Sequence, residues 1–449
     1  MSRNVPRRKV LKGIGAAGVV GLAGCSQDNG GDGGGETTAS QETTASGGDS
    51  GGELPDVLTV IGYPSSGIQI FRDYYSSYSP DDVELVVPDG MKDPNMQKQV
   101  GNPMENLTGT APSAAGPKQE AFADLFKDEY GTSPGVFTAH TFDSVAVLSL
   151  ANAAAGENAG PAIKNQMRNV ANGDGMEVGP DNLVEGIKAA ANGEAVNYTG
   201  ASSPVDFDKR GDPAAAAYDV WKFAPSKDSG VETLDTINFE GEASGPSADS
   251  IPGGTDRTAK VGMLLPETGD LASVGKPMIQ AGELAAKVIN DGDSSIEIDL
   301  GFEDSQTSPQ AGVNAANSLV NAGYPAVCGS ASSGVNVPVS KQVFIPNQVV
   351  GCSPSSTALS VSFLEDDDFI FRTAPSDLLQ GQVLAQVSAE RLGGSTASTL
   401  YVNNDYGQQL SQQYSDTFTE DHSGSVWQQT GFQKQQSSYT SVLNKALSK

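Results

Sequence analysis

Two short hydroxyl-rich turns carry the most chemistry in this sequence. Ser332-Ser333-Gly334 follows an apolar strand, Ala326–Gly329, and Ser355 with Thr357 follows the next, Val349–Cys352. Hydroxyls beside the free N–H groups of a helix start suit a carboxylate or similar oxyanion. Each alone serves as well as a helix cap; their matched position after consecutive strands is what points to a ligand. Asp89, after strand Val83–Val87, offers a carboxylate for an ammonium group, although Pro88-Asp89-Gly90 is also an ordinary turn signal. Tyr63 and Tyr406 stand beside strand ends, where a tyrosine usually packs.

Other chemical signals are weaker. Gly48-Asp49-Ser50-Gly51-Gly52 copies the surroundings of a protease nucleophile but sits in low-complexity sequence, with no frame to place a His and an Asp against it. Gly269–Lys276 echoes a phosphate loop with the wrong spacing and is followed by Pro277 where Ser or Thr is needed. His140 and His422 lack clustered partners, so no metal site is expected. Cys328 and Cys352 fall near the ends of consecutive strands, either as free buried thiols or as a bridge. Asn106-Leu107-Thr108 and Asn197-Tyr198-Thr199 are glycosylation sequons. The net charge of −28, from 55 Asp+Glu against 27 Lys+Arg, repels phosphates and argues against nucleic acid. Such an acidic excess resembles that of proteins from salt-loving archaea.

The elements that must hold these residues form a repeating pattern. Residues 1–24 read as a signal peptide, with Arg7-Arg8 pointing to twin-arginine export and Leu22-Ala23-Gly24-Cys25 to a lipobox that makes Cys25 a lipid anchor. Residues 25–53 read as a disordered tether carrying ETTAS twice. Asp56–Gly62 is a continuous apolar run of the kind buried on both faces of a parallel sheet. Strand and helix patterns then alternate to Phe223, with closing strands expected at Val205–Phe207 and Asp219–Phe223. Residues 225–258 are rich in Gly, Ser, Asp and Glu and read as a second linker. From Ala259 a second series of βα units runs to Lys449, opening with strand Val261–Leu265, a loop over Pro266–Lys276 and a helix entered through Pro277. The whole is α/β.

The chain opens on a strand and ends on a helix, and joining Lys449 to Leu54 gives an ordinary helix-to-strand step, which suggests a circular permutation. Taken as 259–449 and then 54–224, the sequence resembles the leucine/isoleucine/valine-binding proteins of ABC transporters. The stretches that carry the likeness are VGMLLPETGDLASVGKPM, FEDSQTSPQAGVNAANSLV, CGSASSGV, CSPSSTALS, FRTAPSDLLQG and YVNNDYGQQL, then VIGYPSSG, GTAPSA and VDFDKRGD. They cover nearly all of the chain outside the leader and linkers, and the departure from the family is their order.

The resemblance implies a type I periplasmic-binding-protein clamshell of two α/β lobes, circularly permuted. Lobe one is expected from Thr258–Leu378 with a return near Tyr130–Ala155. Lobe two is expected from Leu379–Lys449, Asp56–Thr110 and residues after Ala155, so that 54–224 is mostly lobe two. It also implies a protein that binds a branched-chain or related amino acid, or else an amide or urea, without catalysis or cofactor. Ser333, Ser355 (mainly through its backbone) and Thr357 would hold the ligand carboxylate, Asp89 its ammonium, and Tyr63 and Tyr406 would face it; Val274 leaves side-chain specificity open. Expected partners are an ABC permease and its ATPase subunits, with the membrane reached through the lipid anchor alone. A ligand-sensing receptor is the alternative, and a secreted hydrolase has no visible triad.

Overall fold

The structure, a computed structural model, describes residues 53–449. The twin-arginine leader, Cys25 and the tether lie outside the described residues. In chain order the first half runs β1 (Val57–Ile61), α1 (Pro64–Ser77), β2 (Glu84–Val87), α2 (Met96–Val100), β3 (Leu107–Pro112), α3 (Gln119–Tyr130), α4 (Thr138–Ala155), α5 (Gly160–Ala171), β4 (Met176–Val178), α6 (Leu183–Ala191), β5 (Val196–Tyr198), β6 (Ala216–Phe223) and β7 (Val231–Phe239). The second runs β8 (Arg257–Leu265), α7 (Ala272–Asp291), β9 (Ile296–Asp304), α8 (Pro309–Asn321), β10 (Ala326–Gly329), α9 (Ser333–Val339), β11 (Val350–Ser353), α10 (Leu359–Ser362), β12 (Ile370–Arg372), α11 (Asp377–Gln386), β13 (Thr396–Val402), α12 (Asp405–Glu420), β14 (Ser425–Phe432) and α13 (Thr440–Ala446).

These elements build two lobes. Lobe one holds a sheet in the order β12-β11-β10-β8-β9, and lobe two a sheet in the order β14-β13-β1-β2-β3-β6-β7. The apolar run of β1 is buried throughout and lies parallel between β13 and β2, as a strand with no polar face must. The far edge of lobe two is different: β6 runs antiparallel to β3, and β7 antiparallel to β6.

Three expectations change on the structure. The stretch 225–258 contains the nine-residue strand β7, whose residues alternate between half-buried and exposed, as an edge strand requires. The segment after β7 is tied to lobe one: Asn169 Oδ1 accepts from the backbone N–H of Ser247 (2.9 Å) and Ala248 (3.1 Å), and Gly253 N–H donates to the Ala154 carbonyl (2.8 Å). Secondly, the residues directly after Ala155 do not return to lobe two. Helices α3 to α6 pack around α7, β8 and β11, so 119–198 belongs with lobe one. The expected strand Val205–Phe207 is only a single bridge, Phe207 to Pro213. Thirdly, α7 begins at Ala272, with Pro277 inside it. Gly275 lets that first turn lie against the Pro266 carbonyl, where a Cβ would come within 1.9 Å of the oxygen.

Helix α4 is the centre of lobe one. Every one of its residues is buried, the polar ones included. Its Asp143 accepts from Tyr198 Oη (2.7 Å), Ala201 N (3.0 Å), Ser202 N (2.7 Å) and Ser202 Oγ (2.6 Å), pinning the start of the crossing back toward lobe two. A second buried anchor is Arg372, at the end of β12. Its Nε and Nη2 bind the two oxygens of Asp212 at 2.5 and 2.9 Å, and its Nη1 donates to the carbonyls of Ser356 (3.1 Å) and Ala358 (3.2 Å).

Arg372 is wholly buried and Asp212 nearly so, so removing one partner strands the other's charge. Arg372→Met should cost about 3–5 kcal/mol in urea-induced unfolding, and Arg372→Met with Asp212→Leu should recover most of it. A single variant as stable as the parent would refute the anchoring role.

Candidate functional site

The two lobes face each other over a cavity. Lobe one supplies Pro266, Leu271, Val274, Met278, Ala331, Ser332, Ser333 and Ser355, with Phe137 from the start of α4; lobe two supplies Tyr63, Asp89, Gly90 and Tyr406. Ser333, Ser355, Tyr63, Tyr406 and Asp89, separated widely in sequence, thus meet around one cavity. Thr357 does not line it: the residue is buried, with its hydroxyl beside the Asp377 carboxyl but short of a well-formed hydrogen bond.

The hydroxyl turns are placed by their strands. β10 and β11 are adjacent and parallel, so their C-terminal turns emerge side by side. Ser333 Oγ accepts from Ala358 N at 3.2 Å, and Ser355 Oγ donates to the Ala331 carbonyl at 3.2 Å, lacing the two turns together. Ser333 opens helix α9, whose short length leaves the hydroxyls themselves as the polar lining.

On lobe two, the tyrosines stack at 5.7 Å between ring centroids and 12° between planes. Asn404 does two jobs. Its Oδ1 caps α12 by accepting from Gly407 N at 3.0 Å, and its Nδ2 donates to Tyr63 Oη at 2.8 Å. Across the cleft the same oxygen shares a hydrogen bond with Ser332 Oγ, 2.8 Å away. Burial pushes the Tyr63 hydroxyl above its ordinary range, so it stays protonated and able to donate.

Asp89 sits in a single helical turn, Asp89–Met91, after β2, and is buried. Gly90 beside it approaches the Gly62 carbonyl so closely that a Cβ would lie 2.3 Å from it. Loss of water raises the Asp89 carboxyl from 3.8 to about 6, against the opposing pull of the Gln380 amide, the Tyr406 hydroxyl and Lys92. Tyr406 Oη donates to Asp89 Oδ1 over a long 3.4 Å. The remaining wall, Phe137, Pro266, Leu271, Val274 and Met278, is apolar. The cavity therefore offers hydroxyl groups on one lobe, an under-solvated acid on the other and an apolar wall beside them. That set can orient a small dipolar molecule.

Phe137, Leu271 and Met278 are not legible in the sequence as site residues, and Ser332 is legible only as part of its hydroxyl turn. Leu271, Val274 and Met278 keep helical spacing and look like core, and Phe137 enters through a positive φ of 62° that its type does not announce. Asn404 does carry a signal, an Asn immediately before an amphipathic helix. The sequon at Asn106 is buried, with its amide bound to the Val83 carbonyl (2.7 Å) and its oxygen to Tyr75 Oη (2.7 Å), so the folded chain does not present it for glycosylation.

Because folded Asp89 holds its proton more tightly than the unfolded chain does, Asp89 should contribute a loss of stability of roughly 3 kcal/mol to the unliganded protein as pH rises from about 4 to about 6. Asp89→Asn should remove that slope and leave the variant more stable than the parent at pH 7.5, measured by urea unfolding across pH. Parallel pH profiles for the two proteins would contradict a desolvated Asp89.

The periplasmic binding protein family model matches residues 258–449. A Leu/Ile/Val-binding protein homolog of Brucella melitensis is 31% identical over 158 residues, which are 34% of this chain and 42% of that relative. A leucine-, isoleucine-, valine-, threonine- and alanine-binding protein of Pseudomonas aeruginosa is 27% identical over 36% of this chain and 43% of its own length. The chain thus spans less than half the length of either relative. A leucine-binding protein of Thermotoga maritima superposes on 42% of this chain and 53% of its own with a TM-score of 0.38 and 23% identity. Residues 258–449 are thus similar to periplasmic binding proteins, among them relatives named for leucine, isoleucine and valine binding.

Proposed function

We propose that this chain is the substrate-binding protein of an ABC importer and closes its lobes over a branched-chain or related apolar amino acid. The observation that carries the reading is the opposition across the cavity. Ser333 and Ser355 stand on one lobe, the buried Asp89 on the other, and an apolar wall lies to the side. A zwitterionic amino acid complements all three. Its carboxylate accepts from the hydroxyls and nearby N–H groups, its ammonium relieves the cost of a desolvated Asp89 carboxylate, and its side chain lies against Phe137, Val274 and Met278. Tyr63 and Tyr406 cover it from the lobe-two side. No bond is made or broken; binding energy goes into holding the lobes together, and the closed form is what a permease would recognise. Relatives named for leucine, isoleucine and valine binding support this ligand class. Cys25 as a lipid anchor after twin-arginine export would place the protein on the outer face of the membrane.

The order of elements is, on the same reading, a circular permutation, with 259–449 the family's opening portion and 54–224 its closing one. Support comes from the sheet of lobe two, where β1 inserts in register between β13 and β2, and from the largely exposed path of 240–256 along lobe one.

Isothermal titration with leucine, isoleucine and valine in high salt tests the assignment. At least one should bind, and Asp89→Asn should weaken it by roughly 100-fold, the cost of an unpaired ammonium. Failure of every amino acid to bind would overturn the reading, and unchanged binding by Asp89→Asn would overturn the role of Asp89. A gene reordered as 257–449 followed by 53–239, which keeps β7 and β8 whole, should fold and bind the same ligand within a few-fold; an unfolded product would overturn the permutation.

A further inference from the structure

Cys328 and Cys352 are partners in register on the adjacent parallel strands β10 and β11. Residues so paired lie about 4.8 Å apart and send their side chains to the same face. That spacing falls inside the Cα separation of about 4.4–6.8 Å that a disulfide needs, so a bridge requires little backbone movement. Both cysteines are buried and free. The Ser144 hydroxyl of α4, which donates to the Cys352 carbonyl at 2.8 Å, also lies within reach of both thiols, placing them around one point. Within five residues of these cysteines stand Ser332, Ser333 and Ser355, on the turns that line the cavity.

We propose that Cys328 and Cys352 form a latent disulfide, closed by exchange with a small-molecule disulfide and stapling β10 to β11 beneath the two hydroxyl turns. In the first step a thiolate of the pair attacks the reagent, releasing one reagent thiol and leaving a mixed disulfide. In the second, the other cysteine's thiolate attacks the protein sulfur of that mixed disulfide and expels the second reagent thiol. The protein loses two hydrogens and the reagent gains them. Burial pushes the Cys328 thiol up to about 12 and the Cys352 thiol also upward, so exchange proceeds through transient opening of lobe one and is slow. Once made, the bond closes a loop over 329–351 and restricts the unfolded chain.

The test uses the full chain carrying Cys25→Ser, so that these are its only thiols. The folded protein is incubated with excess 2,2′-dipyridyl disulfide below its melting midpoint, then denatured, treated with iodoacetamide and weighed intact. The expected product is two hydrogens lighter, takes up no alkyl group, yields a digest peptide joining Cys328 to Cys352, and melts higher by roughly 2–8 °C. Uptake of two alkyl groups, a mixed disulfide that persists on either cysteine, or a lowered melting temperature would overturn the proposal.

Discussion

The pairing of β1 with β13 is the contact on which the lobe-two half of the site depends. Val57–Ile61 has no polar face, so it must have a strand on each side, and Ala397–Tyr401 is one of them. The join is reinforced at its start. Asp56 Oδ2 accepts from Ser395 N (2.8 Å), Ser395 Oγ (2.9 Å) and Thr396 N (2.9 Å), while Thr396 Oγ1 accepts from Asp56 N (3.0 Å). Partial burial raises the Asp56 carboxyl, but these bonds outweigh it and hold the group below its ordinary range. Because the strands are parallel and in register, their C-terminal ends deliver Tyr63 and Asn404 to the same edge of the sheet. The Tyr63–Asn404 hydrogen bond and the Tyr63–Tyr406 stack result from that register.

Across the cleft the lobes meet through polar contacts placed around the cavity. Ser66 Oγ donates to Asp270 Oδ2 at 3.0 Å, and Lys434 Nζ to the Thr307 carbonyl at 2.6 Å. Asp270 also keeps one buried oxygen that, among the described residues, has no hydrogen-bond partner. Lys434 loses water on approach, which lowers its basicity, and the Asp270 charge acts to restore it. These contacts are hydrogen bonds between groups that water serves equally well in an open form, so each adds only about 1 kcal/mol to closure. A larger bias toward the closed form has to come from the cavity, where the Asp89 carboxyl loses water without gaining a close cationic partner. On the proposed reading a ligand ammonium supplies that partner, and the lobes respond to occupancy because the polar rim alone holds them weakly.

The parts of this arrangement that are set locally are legible in the sequence. β1 and the strands before the two hydroxyl turns are short apolar runs, and Tyr63, Asp89, Ser333, Ser355 and Tyr406 come just after strand ends, so the α/β class and most of one cavity can be read. The rest is set by packing at a distance. β7 sets half-buried Leu234, Thr236 and Phe239 against exposed Thr233, Asp235 and Asn238, a pattern that a half-covered edge shares with polar linker. The membership of α5 and α6 in lobe one depends on contacts with α4 and α7, which no local pattern encodes. Thr357 has the same local credentials as Ser355, yet two residues of chain turn it away from the cavity toward Asp377.

Helix α4 explains why the lobe-one face of the cavity can hold its shape while the lobes move. Its first turn carries Phe137 against the cavity, its Ser144 binds the Cys352 carbonyl, and its His140 carbonyl accepts from Thr373 Oγ1 at 2.8 Å. His140 itself is buried, and loss of water depresses it to about 3, so it stays neutral and adds no charge to the core. Asp143 fixes the 198–202 strand exit with four hydrogen bonds. Helix, sheet and one crossing are therefore joined through buried bonds that do not open without breaking the core. On the proposed reading, a lobe one with its hydroxyl turns laced together and a lobe two that brings the desolvated Asp89 to the cavity let a ligand ammonium decide whether the two stay closed.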